Sequence, residues 1–518
     1  MVATQPQIAL KVLALTALLA APAAHAASEA AEWPDAVTYQ IFVRSFADGN
    51  GDGIGDLRGL TAKLDYLVDL GVKALWLLPV YPSPSYHHYD VTDYFGIHPD
   101  YGTMEDFEAF LSAAKARGLR VILDLVVNHT SSQHPWFLNA SSGPDNKHFD
   151  YYVWKERSEV RSLTVEKTGP DTDNRRRWNE ADGIRDHYYY AYFTGIMPNL
   201  NFDNPAVRRE IHEIGRFWLE KGVDGFRLDA AKHIFPDERA ADTVAFWEEF
   251  RAEMEKSKPD VFLVGEVWTD GAEAKKYLPG LRSIFNFEMA GSILGALSSE
   301  SGAGLAARHA GLRQQYDEVI PDHVDATFLS NHDQNRVMSA LGDDEDRARV
   351  AASLLLTLPG SPFIYYGEEI GMRGVKPDPS IREPMLWQRQ PDPSRTKQRH
   401  VRHSKDSKVT PVAEQAEDPD SLLNHYKALL RLRNSTPALA RGSIQPLEGL
   451  HERVVAFRRK NEAGDVLVLH NVSRRKTGFR LPPEAADFLR VLWSSRPTMG
   501  PTAGSISLPP FSSLVLTK

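Results

Sequence analysis

The sequence predicts an α/β protein: a closed (β/α)8 TIM barrel, an inserted domain after the third strand and a C-terminal antiparallel β domain. Three observations predict it. Eight short apolar, β-rich runs alternate with longer amphipathic stretches. Several of those runs close on an acidic residue. The alternation breaks twice, at a long polar excursion after the third run and at a change to short alternating runs near the end.

The eight runs are Thr38–Phe46, Ala74–Val80, Arg120–Val127, Gly225–Asp229, Val261–Glu266, Ile284–Phe287, Thr327–Asp333 and Phe363–Tyr366. Asp229, Glu266 and Asp333 follow the fourth, fifth and seventh of them. In a barrel the C-terminal strand ends converge on one cavity, so these carboxylates are expected to face each other. A doubly wound open sheet fits the same alternation but lacks that convergence. The barrel is read over 33–129 and 200–438, with the excursion at 130–199 as an inserted lobe overhanging the cleft. The polar stretch Gln388–Asp420 reads as a mobile loop and His425–Asn434 as a final barrel helix. Over 440–518, runs such as Arg453–Arg458 and Val466–His470 alternate between turn residues, the pattern of a small β-sandwich. No internal repeat supports a solenoid.

Composition narrows the function. The 518 residues are 42% hydrophobic and 10% aromatic, which excludes wholesale disorder. A net charge of -9 offers no clustered basic surface for nucleic acid, so a neutral substrate fits better. Lys11, the apolar run Val12–Ala21 and Ala24-His25-Ala26 have the layout of a signal peptide over 1–26. That run is shorter than the roughly 20 residues needed to span a bilayer. A secreted or periplasmic protein without a membrane anchor after cleavage is therefore expected, as a monomer. The absence of cysteine rules out disulfides, thiolate metal sites and a cysteine nucleophile.

Cleaving a glycosidic bond with retention needs one carboxylate to attack the anomeric carbon and a second carboxyl group to protonate the departing oxygen, roughly 5–5.5 Å apart. Asp229 in GFRLDAAKH and Glu266 in FLVGEVW are the candidates. Taken singly, an acid closing an apolar strand is a helix cap or an ion-pair partner; several converging favour chemistry. Separately, the segment from Asp48 to Asp56 alternates oxygen-bearing side chains with glycines, which suits a hard cation such as Ca²⁺. It is not an EF-hand, whose twelfth position must be Glu and here is Gly59.

GFRLDAAKH, VGEVW, DLVVNHT and LSNHDQNR resemble, in wording and in the order they occur, the hallmark segments of the α-amylase family, glycoside hydrolase family 13. The resemblance implies a (β/α)8 barrel, an inserted domain after the third strand and a C-terminal β domain. It makes Asp229 the nucleophile, Glu266 the acid/base and Asp333 the carboxylate that binds and distorts the reacting sugar. Arg227, two residues before Asp229 on the same strand face, is placed to keep the nucleophile ionised. Glu266 must begin protonated, so burial and nearby carboxylates should raise its pKa. His129, His332 and Asp90 would hold the sugar at the cleavage site, while Tyr89 is either an aromatic platform or packing at the barrel mouth. Similar loops after the first strand bind calcium in the family, which gives Asp48, Asn50, Asp52, the Ile54 carbonyl and Asp56 as ligands of a structural ion.

MPNLNF (Met197–Phe202), together with YPSPSYHHYDVTDYF, GEEIGMRG and IREPMLW, is most similar to the bacterial α-amylase subfamily intermediate between oligo-1,6-glucosidases and neopullulanases. This favours α-1,4 hydrolysis of starch, maltodextrin or maltooligosaccharides, with an α-glucosidase and a glucan transferase or trehalose synthase as the open alternatives. Asp378 and Arg382 either form a neighbouring sugar subsite or pair internally. His88 stands where relatives often carry glycine, and its bulk beside Asp90 is expected to narrow the cleft or change sugar preference.

Overall fold

A run that is apolar at most positions has no polar face to offer water, so it becomes a strand covered on both sides. In the computed structural model, which describes residues 36–160, 172 and 174–518, the eight runs do this. The signal segment read at 1–26 lies outside the described residues. Strands β1 (Thr38–Ile41), β2 (Ala74–Leu77) and β3 (Arg120–Leu125) are followed by three short ones, β4 (Trp154–Glu156), β5 (Trp178–Glu180) and β6 (His187–Tyr190). Then come β7 (Gly225–Leu228), β8 (Phe262–Gly265), β9 (Ser283–Phe285), β10 (Val324–Phe328) and β11 (Ser361–Tyr365). The parallel strands close into a barrel in the order β1-β11-β10-β9-β8-β7-β3-β2, the TIM topology expected.

The ladders stop sooner than the apolar runs do. Beyond β1 the chain turns into the one-turn helix Val43–Phe46, and beyond β3 Val126 and Val127 leave the sheet, yet Val43, Phe46, Val126 and Val127 all stay buried. Apolar residues continue past the last ladder bond because the loops over the barrel mouth are themselves packed. The expected seventh run, Thr327–Asp333, is shifted: β10 begins at Val324 and ends at Phe328, so Asp333 sits on a loop beyond the strand.

Alternation along each strand separates the helix-facing side from the barrel interior. Trp76, Ile122, Phe262, Val264, Phe285, Ala326, Phe328 and Phe363 fill the interior as one cluster, making it a packed core and not a pore. Asp124 and Arg227 follow at the same parity, one pleat higher than Ile122 and Gly225, and are direct cross-strand neighbours. Gly225 opens β7 because a Cβ there would lie 2.0 Å from the Phe262 carbonyl oxygen. The interior is therefore apolar below and charged at its mouth.

Strands β4 to β6 form an antiparallel sheet in the order β4-β6-β5, within the excursion between β3 and β7. The neck of the excursion is tied: Leu200 N donates to the Asn128 carbonyl at 3.0 Å and Asn199 Nδ2 to Asn128 Oδ1 at 3.0 Å. The helix Leu422–Ser435 covers the predicted final barrel helix. Gln388–Asp420, expected as a loop, contains the helix Val412–Glu417, which buries Val412 and Gln415.

The last part carries β12 (Ser443–Pro446), β13 (Val454–Asn461), β14 (Gly464–Asn471), β15 (Thr477–Arg480), β16 (Arg490–Ser494), β17 (Ser505–Leu508) and β18 (Ser512–Thr517). Five of them form an antiparallel sheet, β12-β13-β14-β18-β16, beside the pair β15-β17. Val455, Phe457, Val468 and Val515 join the main core, whereas Val454, Ala456, Leu469 and Leu514 pack with Ile506 and Leu508 of β17. Period-two alternation thus divides each central strand between two apolar partners. Among the described residues, no helix is long and apolar enough to cross a membrane.

Candidate active site

One guanidinium organises the mouth of the barrel. Arg227 Nη1 lies 2.8 Å from Asp124 Oδ1 and 2.6 Å from Asp229 Oδ1, while Nη2 lies 2.8 Å from Glu266 Oε2. The arginine is completely buried, and its plane sits over the Trp76 ring at 5.2 Å. Burial alone would lower its pKa, but the surrounding carboxylates hold it well above the ordinary value. A buried cation is tolerable only with such partners.

Asp229 and Glu266 are the first residues beyond β7 and β8, and their backbone N–H groups still donate to Leu125 O at 3.1 Å and Leu228 O at 3.0 Å. Their positions are therefore fixed by the barrel ladder. Ala230 adopts a left-handed conformation, φ 46° and ψ 39°, an uncommon one for a residue with a Cβ. Its N–H donates to Glu266 Oε2 at 3.2 Å, and the next N–H, of Ala231, donates to the Glu266 carbonyl at 3.0 Å. The turn after Asp229 is thereby welded to Glu266.

The acids meet unlike surroundings. Burial pushes Glu266 up to about 8, against the pull of Arg227 and with Asp229 and Asp333 adding to the rise. Asp333 goes the other way: burial would raise it, but His332 and Arg382 hold it well below the usual carboxylate range. Its Oδ1 accepts from Arg382 Nη2 at 2.8 Å, and His332 Nε2 lies 3.0 Å from its Oδ2. At neutral pH, then, Glu266 keeps a proton to give and Asp333 is an anion, the division that acid-assisted cleavage needs.

Around these carboxylates stand the other residues singled out from sequence. His332 Nε2 is 2.6 Å from the Tyr89 hydroxyl, and the two rings are parallel, centroids 5.4 Å apart. The Tyr89 hydroxyl donates to Asp124 Oδ2 at 2.9 Å. His129 is buried, its Nε2 3.1 Å from the Tyr89 carbonyl, and Phe193 of the inserted lobe packs on its ring at 5.3 Å. Burial lowers the pKa of both histidines. Asp90 is turned toward the Ser83–Ser85 corner, accepting from Ser83 Oγ at 2.7 Å and from Ser85 Oγ. Arg382 also pairs with Asp378 at 3.1 Å, the internal ion pair of the two readings.

His88 is not in the cleft. At φ 64° its side chain is thrown behind the loop, fully buried, and stacked on His98 at 4.2 Å with Tyr101 at 4.7 Å. The expectation that it narrows the sugar site is overturned, because a left-handed backbone reverses the direction a side chain would otherwise take.

Sequence reasoning missed Asp124 and Gln40. Asp124, pushed up to about 7 by burial, sits in the middle of the strand VILDLVV, where a carboxyl group needs a buried partner; that alone could have flagged it. Gln40, in TYQIF of β1, places its Nε2 2.7 Å from His332 Nδ1; nothing in its local sequence points there.

Asp48, Asn50, Asp52, Ile54 and Asp56 form one turn closed by its own backbone. Asp48 Oδ1 accepts from Gly51 N and its Oδ2 from Gly53 N, both at 2.7 Å, while Asp56 Oδ2 accepts from Gly49 N at 3.0 Å. Asn50 Nδ2 donates to Asp52 Oδ2 at 3.0 Å. None of the three carboxylates has a Lys, Arg or His of the described residues within ion-pair distance. Among the described residues no cluster of three or more acidic, histidine or cysteine side chains is assembled as a metal cage. The all-oxygen donor set nonetheless fits a hard cation by its chemistry.

Residues 40–442 match the family profile described as "Alpha amylase, catalytic domain", and residues 454–515 that of the "Alpha-amylase SusG C-terminal domain". The chain is 43% identical over 456 residues to alpha-amylase 3 of Dictyoglomus thermophilum, with 87% of each chain covered. It is 33% identical to an oligo-1,6-glucosidase of Parageobacillus thermoglucosidasius, covering 87% of this chain and 92% of that one. The crystal structure of an alpha-amylase from H. orenii superposes with a TM-score of 0.86 at 41% identity, over 93% of this chain and 99% of that chain.

Proposed function

The chain belongs to the α-amylase family, glycoside hydrolase family 13, and from that membership we propose that this retaining glycosidase hydrolyses α-1,4-glucosidic bonds in starch, maltodextrin or maltooligosaccharides. The observation that carries the reading is the sharing of Arg227 by Asp229 and Glu266, with Glu266 held protonated beside it. Asp229 attacks the anomeric carbon as Glu266 delivers its proton to the departing glycosidic oxygen, and a covalent glycosyl-enzyme forms. Glu266, now ionised, takes a proton from water, whose oxygen displaces Asp229 and restores the anomeric configuration. Asp333, anchored by Arg382, hydrogen-bonds sugar hydroxyls more strongly as the ring flattens toward an oxocarbenium ion. His129, His332, Tyr89 and Asp90 hold the same sugar.

The proposal extends to a structural Ca²⁺ held by Asp48, Asn50, Asp52, the Ile54 carbonyl and Asp56, which enters no chemical step. It also extends to export of the protein as a monomer, with no nucleic-acid partner. A product time course on a defined maltooligosaccharide, with anomeric configuration followed, tests the reaction. Short maltooligosaccharides released first as α-anomers are expected. Glucose alone from every chain length, or trehalose from maltose, would overturn the amylase reading in favour of an α-glucosidase or a trehalose synthase.

A further inference from the structure

We propose that Gln40 is a positioning residue that fixes His332 in its Nε2–H tautomer, so that the edge of the ring beside Asp333 and Tyr89 is always a donor. The inference rests on the hydrolase reading for its consequence, though not for its geometry. Both neighbours of His332 Nε2 are acceptors. The Asp333 carboxylate, 3.0 Å away, has no proton to offer. The Tyr89 hydroxyl, 2.6 Å away, has its proton directed to Asp124 Oδ2 at 2.9 Å, an atom that also accepts from Trp76 Nε1 at 3.2 Å. The hydrogen on Nε2 is therefore demanded from one side.

A neutral imidazole with its proton on Nε2 has a bare lone pair on Nδ1. That atom lies 2.7 Å from the Gln40 amide nitrogen, deep in the barrel, and Gln40 is almost completely buried. An amide –NH2 donates and has no lone pair of its own to accept with, so the contact admits only the Nδ1-bare tautomer. Gln40 projects inward from β1 at the register of Trp76, one layer below the carboxylates, so it touches no sugar and acts through His332. The same logic orients metal-bound histidines through their second nitrogen, where loss of the partner costs about 10- to 100-fold in function.

The test is the protonation pattern of His332 in ¹⁵N-histidine-labelled full-length enzyme, assigned by the signal lost in His332→Gln. Wild type is expected to show Nε2–H near neutral pH. Gln40→Glu presents a carboxylate that must accept from Nδ1, and should convert the ring to Nδ1–H or imidazolium. Gln40→Leu should release both tautomers and lower kcat about 10- to 100-fold with KM nearly unchanged. An Nδ1–H ring in the wild type, or unaltered tautomer and kcat in Gln40→Leu, overturns the proposal. The wild-type spectrum decides even if both variants fail to fold. Cleavage of maltooligosaccharide by an enzyme whose His332 carries Nδ1–H sinks this role alone; an Nε2–H ring without cleavage sinks the hydrolase reading alone.

Discussion

The barrel mouth and the Asp48–Asp56 turn are both rich in carboxylates, and they are held in opposite ways. In the mouth, each group has a partner remote in the chain: Arg227 meets Asp124, Gln40 meets His332, and Arg382 meets Asp333. In the turn, every carboxylate oxygen that accepts a bond takes it from a group within seven positions, mostly a backbone N–H. The first arrangement exists only once the barrel has closed; the carboxylates of the second are held by their own stretch of chain. Removing a partner in the mouth should therefore strand a charge among groups that belong to other strands and cannot re-form around it.

Replacing the proposed nucleophile strikes the mouth hardest. Asp229→Asn should cut kcat on the order of 10⁴-fold or more while circular dichroism stays that of the native fold. Retained turnover in the purified variant would mean the roles are misassigned. Arg227→Met should come next, because it leaves Asp124, Asp229 and Glu266 facing one another without a counter-charge. Urea unfolding is expected to show a loss of about 3–5 kcal/mol.

The protonation of Glu266 gives a gentler handle. A carboxyl group raised to about 8 donates below that pH, so kcat/KM should fall as pH rises through about 8, and Glu266→Gln should erase this alkaline limb while lowering kcat. The sign for stability agrees: the fold favours the protonated form, so the contribution is intact below the ordinary 4.5 and lost as pH climbs through about 8. A limb that survives the substitution would assign it to another group. Smallest is the effect of chelation on the turn. Withdrawing Ca²⁺ from 100-fold above Kd should cost about 2.7 kcal/mol, read as a lower Tm, and an unchanged melt would remove the ion from the account.

This contrast also sets what could be read from sequence. The turn's oxygens and glycines are legible because spacing alone arranges them. The eight barrel strands were legible because a strand covered on both faces is apolar at most positions, but their ends were overshot where Val126 and Val127 stay buried outside the ladder. Asp229 and Glu266 sit one residue past β7 and β8, where a reader of apolar runs places them. Asp333 sits farther out, and its hold comes from Arg382 in a loop that sequence left between two readings. Asp124 and Gln40 were passed over because inward parity is a property of the closed ring. His88 was misjudged because its direction depends on a φ of 64° that no spacing reveals.

The lobe leaves the barrel after β3 and rejoins it ahead of the helix Pro205–Glu220 that leads into β7, with Asn128 and Asn199 clasping its two ends together. If that segment were cut out, the loose ends would already be neighbours. A substitute of almost any length could be spliced in without disturbing a rung of the ladder beneath. Such a chassis can exchange what overhangs the bowl while the ring beneath stays put.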